Sequence, residues 1–167
     1  QMGVAVVVTA GRAEKQSYVR SCGVQLVSTT RDVTVFVTEA QSVLGEGSQL
    51  GLVLNSLSHD EYIPSAAGLI AQGGSFVEIG KRGIWSRGQM AAQQLQLRYK
   101  VVAMDGQCAL DPVWQHGGLQ GLSRRGNGCS SGVQPLPLHV FELQKGGVDG
   151  FRLLQQANQI GKAVMAL

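Results

Sequence analysis

Residues 50–81 read LGLVLNSLSHDEYIPSAAGLIAQGGSFVEIGK. Two short apolar runs, Leu50–Leu54 and Ser75–Ile79, flank a segment of helical composition, and each run leads into small or polar residues (Asn55-Ser56, Gly80-Lys81). Brief apolar runs bounded by turn signals predict strands buried on both faces. The segment between them, about Glu61–Ala71, predicts a helix stopped by Gly73-Gly74. A strand, a helix and a strand in close succession form a crossover unit with parallel strands.

The alternation extends both ways along the chain. Upstream, Val4–Thr9 (VAVVVT) predicts a strand, Ala13–Ser21 a helix with Gly23 just past its end, and Val24–Val27 a second strand. Arg31–Leu44 follows. Its Val33–Thr38 stretch suits a strand as well as a helix, and the need for a crossover favours the helix. Downstream, Arg87–Leu97 predicts a helix and Tyr99–Met104 a strand ending at Asp105. Asp111–Val133 has little periodicity and reads as a damaged helix or a long loop. A strand at Leu138–Phe141, a helix at Val148–Ala157 and a strand at Lys162–Leu167 close the chain. The expectation is an α/β domain with a doubly wound, mostly parallel sheet.

Composition narrows the function classes. With 167 residues, 44% of them hydrophobic and 15% charged, the chain has enough apolar material for a core and is not of disordered type. No apolar run approaches the roughly 20 residues of a membrane-spanning helix. The net charge of +3 is scattered, which argues against nucleic acid as a partner. Cys22, Cys108 and Cys129 have no metal-type spacing, and no metal is expected. Free thiols, together with a start at Gln1-Met2 that lacks a secretory pattern, lead us to expect a cytoplasmic protein, and a partial chain.

Right-handed crossovers would bring the C-terminal ends of the strands to one edge, where open α/β sheets bind ligands. Gly11-Arg12, Asn55-Ser56, Gly80-Lys81 and Asp105 each follow a strand and are expected there. The turn Thr9-Ala10-Gly11-Arg12, with Lys15 in the next helical turn, suits a phosphate at a helix start; a solvated basic helix start is the alternative. Lys81 and Asp105 together suit a proton-donating pair, against the alternative of a surface lysine and a turn aspartate. His59, His116 and His139 show no ligand or triad spacing, and Trp85 and Trp114 read as packing residues. No G-x-G-x-x-G lies between a strand and a helix.

Taken in order, TAGRAEKQSYVRSCGVQLV, VLNSL, GGSFVEIGKRGIWS, PLPLHVFEL and FRLLQQANQIGKAV resemble the enoylreductase domains of polyketide and fatty acid synthases, of the medium-chain dehydrogenase/reductase superfamily. The resemblance spans nearly the whole chain and is thin between Cys108 and Val133. It implies a partial Rossmann-like nucleotide-binding domain over residues 1–133. Residues 134–167 would then be a C-terminal segment whose strand and helix return toward a substrate domain absent from this sequence. It also implies NADPH-dependent reduction of a trans-2-enoyl thioester on an acyl carrier protein. Hydride goes to the β-carbon, charge develops on the thioester oxygen, and a proton goes to the α-carbon. Lys81 and Asp105 match the family's proposed proton donors. Arg12 and Lys15 match the region of the cofactor's 2′-phosphate, Asn55, Ser56 and Leu57 that of its nicotinamide and ribose, and Thr9, Gly11 and Gly80 are further cofactor-binding positions by the same resemblance. Lys162 matches a late cofactor contact, preceded by Gln159 where the family has histidine. Neighbouring synthase domains are implied partners, with a homodimer in the full synthase.

Departures from the family pattern include Gly51 and Gly83 at positions where aspartate is common, and Gly146, Gly147 and Gly150 interrupting the late helix. A weak or inactive isolated chain is therefore expected. A free-standing quinone or enone reductase and a non-catalytic scaffold remain the alternative readings.

Overall fold

The computed structural model describes residues 5–24, 26–57, 61–93, 96–127, 136–157 and 159–167. Its elements are β1 (Val7–Thr9), α1 (Ala13–Ser21), β2 (Leu26–Ser28), α2 (Val33–Leu44), β3 (Leu50–Asn55), α3 (Tyr62–Gly68) and β4 (Ile70–Glu78). There follow α4 (Arg87–Ala92), β5 (Arg98–Val101), α5 (Met104–Leu110), α6 (Pro112–Asn127), β6 (Leu138–Glu142), α7 (Leu143–Gln155) and β7 (Lys162–Ala166). The chain divides into two compact units, residues 2–115 and 116–167. The sequence-based boundary at 133/134 and the candidates His59 and Cys129 lie outside the described residues.

Among the described residues every strand pairing is parallel, in line with the α/β reading: β1 with β2, β3 with β4 and β4 with β5 in the first unit, β6 with β7 in the second. The segment 33–38, rich in β-branched residues, is helical. Asp32 caps it, its Oδ1 accepting from the amides of Thr34 and Val35 at 2.8 and 3.0 Å, which satisfies two otherwise orphaned donors. Phe36 and Ala40, one turn apart, then bury themselves, and that packing outweighs the local strand preference.

The core of the first unit joins Phe36 and Ala40 of α2, Tyr62, Ile63, Ala66 and Ala67 of α3, Phe76 of β4 and Met90 of α4. Val53 pairs with Phe76 and Phe76 with Tyr99, so these residues share the sheet face that meets the core. The opposite face differs from expectation. Leu52 and Leu54, predicted to be buried, are 59% and 65% exposed, because the core-forming helices pack on the Val53 side and β3 alternates its side chains. Several boundaries also move: the helix predicted over Glu61–Ala71 ends at Gly68 with Gly73-Gly74 inside β4, the one over Arg87–Leu97 ends at Ala92, and the one over Val148–Ala157 begins at Leu143. Ile70 pairs with Leu50, so β4 begins five residues before Ser75. The last strand of the first unit ends at Val101, and Asp105 lies in the first turn of α5 rather than in a turn after a strand.

In the second unit the glycines do not interrupt α7, which runs unbroken from Leu143 to Gln155. A Cβ on Gly150 would strike the Met165 side chain and come within 3.0 Å of Phe141, so the glycine permits the close approach of α7 to β6 and β7. The Asp111–Val133 stretch is α6 up to Asn127. Gly161 is indispensable for a different reason. Its φ is +97°, and a Cβ there would drive into the Pro137 carbonyl that accepts from the Lys162 amide at 2.9 Å. Gly161→Ala is expected to cost about 1–2 kcal/mol in backbone strain alone, with the clash added. Faster amide hydrogen exchange in β6 and β7 checks this; unchanged exchange refutes it.

Candidate functional site

The parallel pairing of β3, β4 and β5 brings their C-terminal ends to one edge, and the hydrogen bonds there are specific. Asn55, the last residue of β3, is buried and holds its own loop as a small ring: Nδ2 donates to the Leu57 carbonyl at 3.0 Å and Oδ1 accepts from the Leu57 amide at 3.3 Å. The same Nδ2 donates to Oε2 of Glu78 at 2.7 Å, while Oε1 of Glu78 accepts from the Gly80 amide at 2.6 Å. Glu78 is 0% exposed. Its negative charge, after desolvation by burial, is the second reason that the Tyr99 phenol is pushed above its ordinary pKa; that phenol donates to the Trp85 carbonyl at 2.7 Å.

Beside this buried brace lies an exposed ion pair. Lys81 Nζ donates to Asp105 Oδ2 at 2.8 Å, with the two side chains 72% and 64% exposed. The hydrogen bond from Lys81 is the main cause that holds the Asp105 carboxyl below the usual carboxylate range, with backbone amides at the start of α5 assisting. An ammonium hydrogen-bonded to a carboxylate at a solvent-open strand edge is chemically able to give up a proton, with the carboxylate biasing where it points.

A second cluster forms at the ends of β1 and β2. Arg31 Nε donates to the Gly11 carbonyl at 3.1 Å, and a Cβ on Gly11 would fall 2.5 Å from Thr30 Oγ1. The two strand-end loops are therefore in contact, and a side chain at position 11 would part them. Arg12 occupies the N-cap of α1 without capping it through its own side chain, and Glu14 and Lys15 lie in the first turn. Helix-start amides beside lysine and arginine suit an anionic group such as the phosphates of a nucleotide, which Glu14 in the same turn opposes.

Of the sequence candidates, the structure joins Asn55, Leu57 and Gly80 through Glu78, joins Lys81 to Asp105, and sets Gly11 against Arg31. Thr9 ends β1, and Ser56 lies within the Asn55–Leu57 ring. Lys162 opens β7 in the other unit. The Asn55 side chain is spent internally, on Leu57 and Glu78, and Ser56 between them is exposed. Sequence reasoning missed Glu78 and Arg31. A lone glutamate in an apolar strand (SFVEI) is the signal that would have found the first, and a basic residue after the second strand, STTR, the second.

Among the described residues no cluster of histidine, cysteine, aspartate and glutamate could hold a metal, and no helix is long and apolar enough to cross a membrane. A cavity of about 600 Å³ lies at the other end of the first unit, between the end of α2 and the start of β3, with Glu46 as the one charged residue lining it. It plays no part in the strand-end chemistry.

No protein-family model matches the chain. It is 29% identical, over 99% of its length, to a phenolphthiocerol/phthiocerol polyketide synthase of Mycobacterium tuberculosis, and spans 7% of that protein. Among solved structures, the CurF ER cyclopropanase from the curacin A biosynthetic pathway matches with a TM-score of 0.86 and 30% identity, over 98% of this chain and 47% of that one. The nucleotide-binding subdomain of the enoylreductase domain of PpsC from Mycobacterium tuberculosis matches with a TM-score of 0.64 and 30% identity, over 74% of this chain and 69% of that one. The chain thus spans a small part of its curated relative and about half of the CurF chain.

Proposed function

Because the chain belongs to the enoylreductase domains of polyketide synthases, within the medium-chain dehydrogenase/reductase superfamily, we propose that it is the nucleotide-binding part of a reductase acting on a trans-2-enoyl thioester carried by an acyl carrier protein. The observation that carries this reading is the Lys81–Asp105 pair at the edge where β3, β4 and β5 end. When bound, NADPH would supply the hydride that adds to the β-carbon. Lys81 Nζ, held by Asp105, would deliver the proton that the α-carbon then needs, and an ammonium there also stabilises charge developing on the thioester oxygen. Asp105 keeps the lysine aimed.

Arg12, Lys15 and Arg31 would hold the cofactor's 2′-phosphate, with Thr9 and Gly11 shaping the turn beneath it. Ser56, Leu57 and Gly80 would line the nicotinamide end, and Lys162 matches the family's late cofactor contact. Its partners would be the carrier protein and neighbouring synthase domains, as a homodimer in the cytoplasm. In 167 residues with no G-x-G-x-x-G turn, the pyrophosphate has no usual cradle. Titration against tryptophan fluorescence should therefore show weak NADPH binding to this chain alone; tight binding would contradict that.

The activity test uses the reductase domain that contains this chain, with NADPH and either a short 2-enoyl thioester or a quinone, following loss of reduced-nicotinamide absorbance. Turnover of the thioester is expected. Turnover of the quinone alone sinks the proposal in favour of a quinone reductase, and no turnover sinks it in favour of a scaffold. In the same domain, Lys15→Ala should weaken NADPH about tenfold while leaving NADH unchanged, as loss of one charge-assisted phosphate contact implies.

A further inference from the structure

We propose that Glu78 is a positioning residue, whose buried carboxylate clamps the loop after β3 to the loop after β4 and so sets the backbone that carries Lys81. The proposal rests on the reading of Lys81–Asp105 as the proton source. Residue 78 reaches all three strand ends. Its two carboxylate oxygens accept from Asn55 Nδ2 and the Gly80 amide, and its own carbonyl accepts from the Val102 amide at 2.8 Å. The Ile79 amide, next in the chain, donates to the Asn55 carbonyl at 2.8 Å. Lys81 is thus one residue from a group tied to Glu78, and Asp105 three residues from another.

Packing alone does not account for a glutamate here. Position 78 is fully buried on the face that also carries Phe76 and Tyr99, where an apolar side chain would fill the space without the cost of desolvating a carboxylate. What the carboxylate adds is two acceptors at one reach. Glutamine offers one, so either Gly80 or Asn55 loses its partner, and a reversed Asn55 amide would break both of its bonds to Leu57. Aspartate has two acceptors on a shorter stem.

Glu78→Met keeps the bulk and removes both acceptors. In this chain, amide exchange at Gly80 and Leu57 is expected to quicken about tenfold or more relative to the α2–α3 core. The Asp105 carboxyl, followed by carbon NMR, should titrate closer to its ordinary range because Lys81 is no longer held against it. A folded variant in which both readouts match the parent overturns the proposal. Should Glu78→Met not fold, the pair Asn55→Asp with Glu78→Gln keeps a donor–acceptor link between positions 55 and 78 and an oxygen for Gly80, while the Leu57 carbonyl loses the donor that Asn55 Nδ2 supplied. It is expected to keep the lowered Asp105 titration, and its loss would overturn the proposal. If the NMR readouts respond but the reductase domain turns over normally with Lys81→Ala, the clamp stands and the catalytic reading fails.

Discussion

Phe76→Ala should lower the stability of this chain by about 3–5 kcal/mol, the range for emptying an aromatic site in a packed core. Phe76 is 0% exposed, packs within the cluster formed by α2, α3 and α4, and lies 5.8 Å, centroid to centroid, from the Tyr99 ring. It sits on β4 between two partner strands, so neither neighbour can close over the void without breaking its pairing. The contrast is Leu52 on β3, apolar in the same way but facing outward. Leu52→Ala is expected to change stability by less than about 0.5 kcal/mol. Denaturant midpoints of the two variants, measured side by side, check both figures. Equal midpoints would mean that the core lies on the other face of the sheet.

Lys81→Ala, in the reductase domain that contains this chain, should reduce turnover of an enoyl thioester by about 10²–10⁴-fold, the usual contribution of a positioned proton donor. The unfolding midpoint should not move, because an exposed ion pair contributes little to stability. Asp105→Asn should cost less, since the lysine remains and loses only its aim. In the free chain, Lys81→Ala should also release the Asp105 carboxyl upward toward its ordinary range, as the lysine is the first cause of its lowering. The sign follows: with a depressed folded pKa, whatever the pair contributes is present above the ordinary carboxylate range and is lost as pH falls through the lowered value. A pH series of Asp105 carbon shifts in parent and variant checks the direction. Unchanged turnover would remove Lys81 from the mechanism.

The local reading found the strand–helix alternation and placed Lys81 and Asp105 at one edge, although they stand 24 positions apart. It did so because parallel crossovers leave the strand ends no other arrangement. It failed where a residue's role depends on what packs above it. Over Val33–Thr38 it did reach the helix, through the need for a crossover, but the local reasons, the Asp32 cap and the burial of Phe36, are visible only in the structure. Gly150 looks like a break, and against Phe141 and Met165 it is what lets α7 come close.

The strand–helix alternation from β1 to β5 and the family follow from the chain by itself, because periodicity, turn chemistry and motif order are local properties that neighbours in sequence enforce. Which face of β3 is buried, where Asp105 sits in its helix, and why a glutamate stands at position 78 were decided only in three dimensions. Each depends on partners more than 20 residues away, Asn55 for Glu78 and Lys81 for Asp105, whose hydrogen bonds exist only once the strands lie side by side.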